Sequence, residues 1–453
     1  MLKRLLIGVL AIILAVGGYF LIQRLEGKPP VILLDKPLQY MGAKTTVSGT
    51  VTDGESGVSR VRVLVYKPGR SEKVVLDESL PAKGFLRSGT ETEMAFSITL
   101  EPKELGLADG EAVLVVTATD YSLRRWGAGN LACQEFPVTV DTRAPSVSVL
   151  SRLHYFTQGG AGLVIYRINE KVQKSGVLVG ERFYPGYAGH FSDPDVCMAF
   201  LAIAHDQDPD TPVGVTATDL AGNQGGAGFF YRIRKKRFPE DRIAVTDAFI
   251  RRVLPQFPEI EAEPGMALVD KFLRVNKNLR RADTEAARQA GGEPLPKLLW
   301  KGGFLRLPAS AEKAGFADHR NYVYKGKVVD RQFHLGIDLA STANSPVPAA
   351  NSGRVAYTGD LGIYGQTVIV DHGFGLYTMY SHLSRIDCQA GDNLKKGQKL
   401  GLTGSTGLAA GDHLHFAVLV HDTFVNPLEW WDASWIRNNI TSKIAEVEES
   451  LSR

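Results

Sequence analysis

Imidazoles and one carboxylate recur at even separations in this chain. His334 and Asp338 stand four apart in His334-Leu335-Gly336-Ile337-Asp338, and His413 and His415 stand two apart in His413-Leu414-His415-Phe416. Side chains alternate between the faces of an extended backbone, so residues at even separations point the same way. His334 and Asp338 then share one face, with Leu335 and Ile337 turned away. His413 and His415 do the same, with Leu414 and Phe416 on the apolar side. Metal ligation is the economical reason for this pattern, and it constrains the fold. The two segments, about 80 residues apart in sequence, must meet as neighbours to offer nitrogen and oxygen donors at one point. Zinc with three protein ligands and an open fourth position is the usual catalytic arrangement.

The N-terminus carries a membrane signal. Met1-Leu2-Lys3-Arg4 is a short basic start, and Leu5 to Ile22 is apolar without a charge. A run of about 18 or more such residues can span a bilayer. Residues 1–28 are therefore expected to be a membrane anchor or signal, with residues 5–22 as the membrane helix. A cleaved signal peptide is the alternative, although its apolar region is usually about 7–15 residues and Ala15-Val16-Gly17 is a poor cleavage site. The net charge of +3 over 453 residues implies no strongly basic face, and no nucleic-acid partner is expected. Cys133, Cys197 and Cys388 are widely spaced and odd in number, so at most one disulfide can form and none is required.

Short β-branched runs separated by turn residues come next. Thr46 to Thr52 alternates before an Asp53-Gly54 turn, and Val61 to Tyr66 and Ala112 to Asp120 read the same way. The Thr117-Ala118-Thr119-Asp120 ending returns as Thr216-Ala217-Thr218-Asp219, and each copy follows a strand led by proline, Pro30 or Pro145. Residues 29–142 and 143–236 are read as two tandem β-sandwiches, and their shared ending resembles bacterial immunoglobulin-like repeats. The Asp and Asn residues in these turns are read as turn formers rather than calcium ligands. Residues 237–296 are read as a helical linker. Thr246 or Asp247 can cap a first helix, and Leu268, Phe272, Val275 and Leu279 form a packing stripe on a second. Whether this stretch links, braces or covers the C-terminal region is open. Residues 432–453 are read as a C-terminal helix, with Trp430, Trp431 and Trp435 packing it down.

Between Phe304 and Trp431 the histidines sit in a longer series of motifs. It runs through Pro346-Val347-Pro348-Ala349, Gly353-Arg354-Val355, Tyr364-Gly365-Gln366-Thr367-Val368, Asp371-His372-Gly373, Tyr380-Ser381-His382-Leu383, Gly397-Gln398-Lys399-Leu400-Gly401, Gly404-Ser405-Thr406-Gly407 and His413-Leu414-His415-Phe416. The series resembles the LytM/lysostaphin-type zinc metalloendopeptidases, which cut the peptide part of bacterial cell walls. The resemblance implies that residues 297–431 form an antiparallel β-sheet peptidase domain holding one Zn2+. It implies His334, Asp338 and His415 as zinc ligands and His382 and His413 as the catalytic, non-ligand pair. It further implies peptidoglycan as the partner and the bacterial cell envelope as the site of action, with the N-terminal helix in the inner membrane. A divisome or wall-synthesis partner is left unnamed. Relatives that have lost ligands act as non-catalytic activators of other wall hydrolases, so a silent or latent domain is the alternative.

His372 is read as structural, and His154, His190, His205, His319 and His421 as surface or packing residues. The Gly401 to Gly411 stretch is expected to form a loop at the cleft, where glycine permits close backbone approach. The chain has no His-Glu-x-x-His and no Gly-x-Ser-x-Gly, so the helix-borne zinc protease and the serine-elbow hydrolase are excluded.

Overall fold

A computed structural model describes residues 2–82 and 91–453 and is mainly β. It divides into two compact units, one of Met1–Pro145 with Thr218–Gly225 and one of Ser146–Ala217 with Gly226–Arg453.

In the first unit Leu2–Arg24 is helical. Among the described residues no helix is long and apolar enough to cross a membrane. The anchor expected at residues 5–22 is therefore not supported. The stretch is bounded by Lys3-Arg4 and Arg24 and diluted by Gly8, Gly17 and Gly18. Beyond it, Val31–Leu34, Thr45–Thr52 and Glu93–Leu100 form one antiparallel sheet. A second sheet is built on Lys73–Ser79, Val58–Tyr66, Gly110–Asp120 and Leu131–Val140. Alternation along these strands buries Val47, Val51 and Phe96 from the first sheet in one core with Val61, Val63, Leu114 and Val116 from the second. Asp53 Oδ1 accepts the backbone N–H groups of Glu55, Ser56 and Gly57. It closes the turn as an Asx side chain does.

The second unit joins a β layer, a helical segment and a large sheet through one hydrophobic core. Ala161–Ile168 pairs with Val196–Ala202, and Val172–Val179 forms a hairpin with Arg182–Pro185. The stretch read as a helical linker does not begin as a helix. Glu240–Val245 is a strand lying parallel to His319–Tyr324, with Asp241, Ile243 and Val245 on its covered face and Glu240, Arg242 and Ala244 exposed on the other. Helix Asp247–Val253 follows, its start capped by Thr246 Oγ1, which accepts the Phe249 N–H at 3.1 Å. Leu268–Leu273, Arg274–Leu279 and Arg280–Gln289 then run on as one helical rod with a wide turn at its centre. Phe272, Val275 and Ala287 are buried along it.

Among the described residues eight strands form the large sheet. Its order is Ala311–Ala314, Ile337–Ala340, Leu414–Val420, Leu376–Leu383, Gln366–Asp371, Gly353–Asp360 and Asn393–Leu394, with Thr423–Val425 paired to Leu414–Val420. Every pairing is antiparallel. Leu414–Val420 and Leu376–Leu383 are buried along their whole length, so both faces of the sheet centre are covered. Trp430 is fully buried among Phe200, Trp300, Phe304 and Trp435. The C-terminal helix Ser442–Ser452 lies on the Ala161–Ile168 strand, where Lys443 Nζ donates to the Leu163 carbonyl. Cys133, Cys197 and Cys388 are free thiols.

Candidate active site

Register across three adjacent strands builds the site. Asp338 on Ile337–Ala340 stands opposite His415 on Leu414–Val420, and His415 stands opposite Ser381 on Leu376–Leu383. One row of the sheet thus brings a carboxylate and an imidazole together, with a histidine beside them at His382. Pairing between Gln366–Asp371 and Leu376–Leu383 slips here. Gln366 faces Leu383 and Val368 faces Tyr380, so Ser381 and His382 together oppose Thr367. Ser381 keeps the inward position and accepts from Thr367 Oγ1 at 3.0 Å. The extra residue, His382, sits in the left-handed region at φ 62°. Such a bulge re-aims a side chain, and a non-glycine residue held at positive φ marks a position where the surroundings overrule backbone preference.

His334 arrives differently from the sequence expectation. Strand Lys327–Phe333 ends just before it and Ile337–Ala340 begins three residues after it, so His334 and Asp338 do not lie on one continuous strand. They converge from either side of a bend at Gly336. A Cβ on Gly336 would stand 2.6 Å from His415 Cε1 and Nε2 and 2.8 Å from the Phe416 carbonyl oxygen. The missing side chain is the space into which the His415 ring fits.

Three donor atoms then form a small triangle. His334 Nε2 is 3.0 Å from Asp338 Oδ1 and 3.0 Å from His415 Nδ1, and His415 Nδ1 is 2.9 Å from Asp338 Oδ1. His334 Nδ1 donates to the Gly315 carbonyl at 2.8 Å, which leaves its Nε2 as a lone pair facing the triangle. A nitrogen lone pair and a carboxylate oxygen converging out of water call for a cation between them. Zinc bonded at about 2.0–2.1 Å in tetrahedral geometry has donor–donor edges of roughly 3.3–3.4 Å. The triangle fits that ion with an opening of a few tenths of an ångström, and the backbone hydrogen bond on His334 is the kind of outer contact that orients a metal-bound imidazole.

Electrostatics separate the histidines. Burial alone would raise the Asp338 carboxyl, but His334, His413 and His415 around it hold it well below the usual carboxylate range. Burial depresses His334 and pushes His415 down to about 4. His382 lies well below the ordinary imidazole range, through burial and then through His413 and His415. Burial also opposes charge on His413, yet the Asp338 carboxylate, with Oδ1 3.6 Å from Nε2, outweighs it and raises this imidazole. His382 Nδ1 donates to the Thr406 carbonyl and His413 Nδ1 to the Gly411 carbonyl, each at 2.8 Å. In the neutral form each ring then presents Nε2 as the unprotonated nitrogen, and their centroids are 4.8 Å apart. The carbonyls come from the Gly401 to Gly411 stretch, whose Leu408 and Ala410 line the cleft.

His372 is apart from this cluster. It is fully buried, held by the Ser352 carbonyl and Thr378 Oγ1 at 2.8 Å each, and pushed down to about 4 by burial. Arg320 is the neighbour that the sequence pattern does not reveal. Its Nη2 donates to Asp338 Oδ2 at 2.9 Å, so one carboxylate oxygen is tied back while the other faces the triangle. The helical segment also contributes. A cleft of about 450 Å³ over the site is walled by Ile243, Phe249, Phe272 and Arg280 as well as by the histidines. Asp283 Oδ2 accepts the Ile363 N–H at 2.7 Å, and Thr284 Oγ1 lies 3.2 Å from the Tyr364 hydroxyl. These contacts fix the Gly362–Tyr364 turn that carries Tyr364 against His415.

Residues 332–427 match peptidase family M23. A stretch of 97 residues is 38% identical to the DD-carboxypeptidase/endopeptidase Mpg of Neisseria meningitidis, over 21% of this chain and 22% of that protein. A stretch of 116 residues is 34% identical to the peptidoglycan DD-endopeptidase ShyB of Vibrio cholerae, over 26% of each. The chain thus spans about a quarter or less of the length of these curated relatives. The catalytic domain of lysostaphin from Staphylococcus simulans aligns in structure over 29% of this chain and 98% of that one, at 25% identity and a TM-score of 0.25. The match covers every residue of the histidine cluster and the aspartate within it, so the C-terminal region of the chain carries a peptidase family M23 domain over residues 332–427.

Proposed function

We propose that the chain is a zinc metalloendopeptidase that hydrolyses peptide bonds in the stem peptides or cross-links of peptidoglycan, acting in the cell envelope. The observation that carries this reading is the triangle of His334 Nε2, Asp338 Oδ1 and His415 Nδ1 with the imidazoles of His382 and His413 beside it, each tied back through Nδ1. The relatives' printed activities as DD-endopeptidases support the substrate class.

Zinc held by these three residues supplies Lewis acidity towards a carbonyl and lowers the pKa of water towards about 7. The protein's own groups do the rest. His382, kept neutral, accepts a hydrogen bond at Nε2 and orients the attacking water. His413, the more basic imidazole, takes a proton at Nε2 and passes it to the leaving amine. Asp338 opposes the charge that His413 then carries, as a carboxylate beside an imidazole does. Arg320 holds Asp338 in place through Oδ2. The cleft walls from the helical segment limit water at the reacting centre.

Digestion of purified peptidoglycan tests the reading, with zinc, with chelator and with His415→Ala, followed by mass analysis of the released fragments. Zinc-dependent cleavage that the substitution abolishes is expected. A folded, zinc-loaded protein that leaves the wall intact would overturn it in favour of a non-catalytic or latent domain.

A further inference from the structure

A second hollow, of about 580 Å³, meets the catalytic cleft at Arg280, Tyr364, His334 and His415, which line both. Its walls are strongly cationic. Arg182 comes from the β layer, and Lys277, Arg280, Arg281 and Arg288 from the helical rod, against only Asp206 and Glu285 of opposite sign. On the rod Arg280, Arg281 and Arg288 stand three, four and eleven residues after Lys277, which keeps them on one side of the helix. Like charges four apart on a helix cost a few tenths of a kcal/mol each, so the face is costly to the free protein.

Local partners orient several of these groups without neutralising them. Arg280 donates to the Asn276 carbonyl and side-chain oxygen, Arg182 to Thr423 Oγ1, and Arg288 to the Asp422 carbonyl. Arg288 also meets Glu285 at 4.0 Å. Lys277 and Arg281 form no ion pair among the described residues. His205, also on the wall, is depressed by burial; Asp206 opposes the shift, and His319, Arg288 and Arg182 add smaller lowering contributions. At the inner end stands His415, whose Nε2 is buried without a hydrogen-bond partner among the described residues. A solvated charged face would account for exposed cations on a convex helix. It does not account for a concave basin that opens onto the donor triangle.

We propose that this basin is an anion subsite that holds a carboxylate of the peptide substrate beside the reacting centre, so that the enzyme selects carboxylate-bearing stem peptides over uncharged peptides such as oligoglycine bridges. The proposal rests on the peptidase reading above and names its substrate class. Guanidinium groups suit the task because their planar donors match a carboxylate in pairs. The rod thereby contributes specificity from outside residues 332–427, the region that matches the family.

The test is binding to the metal-free full chain, so that it does not depend on turnover. The probes are the peptide alanyl-γ-D-glutamyl-lysyl-D-alanine with free carboxylates, the same peptide fully amidated, and inorganic phosphate, each titrated calorimetrically. The free-carboxylate peptide is expected to bind about tenfold or more tightly than its amide. Lys277→Gln with Arg281→Gln, both at exposed positions, is expected to remove most of that difference while the melting temperature stays unchanged. Equal affinity for the two peptides, or discrimination that survives the double variant, overturns the proposal. Phosphate binding as tightly as the peptide overturns the substrate assignment. Carboxylate discrimination in a protein that cuts no wall supports the subsite and leaves the peptidase reading to fail by itself. Wall cleavage without discrimination sinks the subsite alone.

Discussion

Gly336→Ala adds one methyl group where the structure has no room for it. The new Cβ would lie 2.6 Å from His415 Cε1 and Nε2, against an ordinary contact of about 3.5–4.0 Å. The other obstruction, the Phe416 carbonyl at 2.8 Å, belongs to a strand residue that faces Ile337 in the sheet. The ring must therefore give way, by about 1 Å. Metal bonds hold their lengths to within about 0.2 Å, so a displaced Nδ1 no longer completes the triangle. Losing an outer contact alone typically costs about 10–100-fold in metal affinity. A ligand pushed this far should cost at least that. The overpacked metal-free fold should lose about 1–3 kcal/mol. Competition for zinc against a chromophoric chelator measures the first quantity and urea denaturation with chelator the second. Gly411→Ala is the control, since nothing lies within 4 Å of its added Cβ. Zinc affinity of Gly336→Ala within about twofold of the parent would refute the argument that this glycine exists to seat the ligand.

Arg320→Met removes the partner of a largely buried carboxylate, and breaking such a pair costs about 3–5 kcal/mol. Melting should drop sharply with chelator and recover much of the loss with zinc, whereas an equal drop in both conditions would contradict the tie between Arg320 and the donor triangle. Three buried histidines away from the triangle, His154, His372 and His421, are each held down to about 4 by burial, with an unfolded value near 6.5. The unfolded chain binds more protons between those values. Stability is thus fully present above about pH 6.5 and falls as pH drops towards 4, by about 3 kcal/mol for His372 alone. Urea midpoints at pH 7, 5 and 4 check this, and a flat profile would exclude it. Glu429 runs the other way. Burial pushes it up to about 7 although it accepts the Ala161 N–H at 2.8 Å, so its contribution is present below about pH 4.5 and lost as pH rises through 7. Glu429→Gln should be more stable than the parent at pH 8 and show no such advantage at pH 4.5; equal stability at pH 8 would count against a strained carboxylate.

The donor set was legible in the sequence because two of its members sit on strands, where spacing translates directly into facing. His415 alternates with Leu414 and Phe416 as expected, and register places Asp338 opposite it. The expectation failed at His334, where the even spacing to Asp338 suggests one strand and Gly336 breaks it. A glycine among apolar residues signals a bend or a close approach, but the partner it makes room for, His415, is 79 residues away and invisible to local pattern. The bulge at His382 is hidden for the same reason, since it depends on what Gln366–Asp371 offers across the sheet. Arg320 lies in no motif and acquires its role only through tertiary contact with Asp338. The packing stripe of Phe272 and Val275 was readable from helical period. The strand Glu240–Val245 was not, because six residues with several charges look like a linker until a parallel partner is supplied.

That parallel strand bears on how portable the peptidase is. His319–Tyr324 carries Arg320, and its outer edge is closed by Glu240–Val245, from more than 70 residues upstream. Cutting the chain at the start of the family match would remove this strand and Arg320 with it, while a cut between residues 245 and 319 would leave the strand with a bare row of backbone donors and acceptors, an open edge of the kind that recruits other strands. Modular exchange of this domain, in engineering or by recombination, therefore has to keep Glu240–Val245 and the β layer that shares its core, in a unit that begins at Ser146 rather than at residue 332.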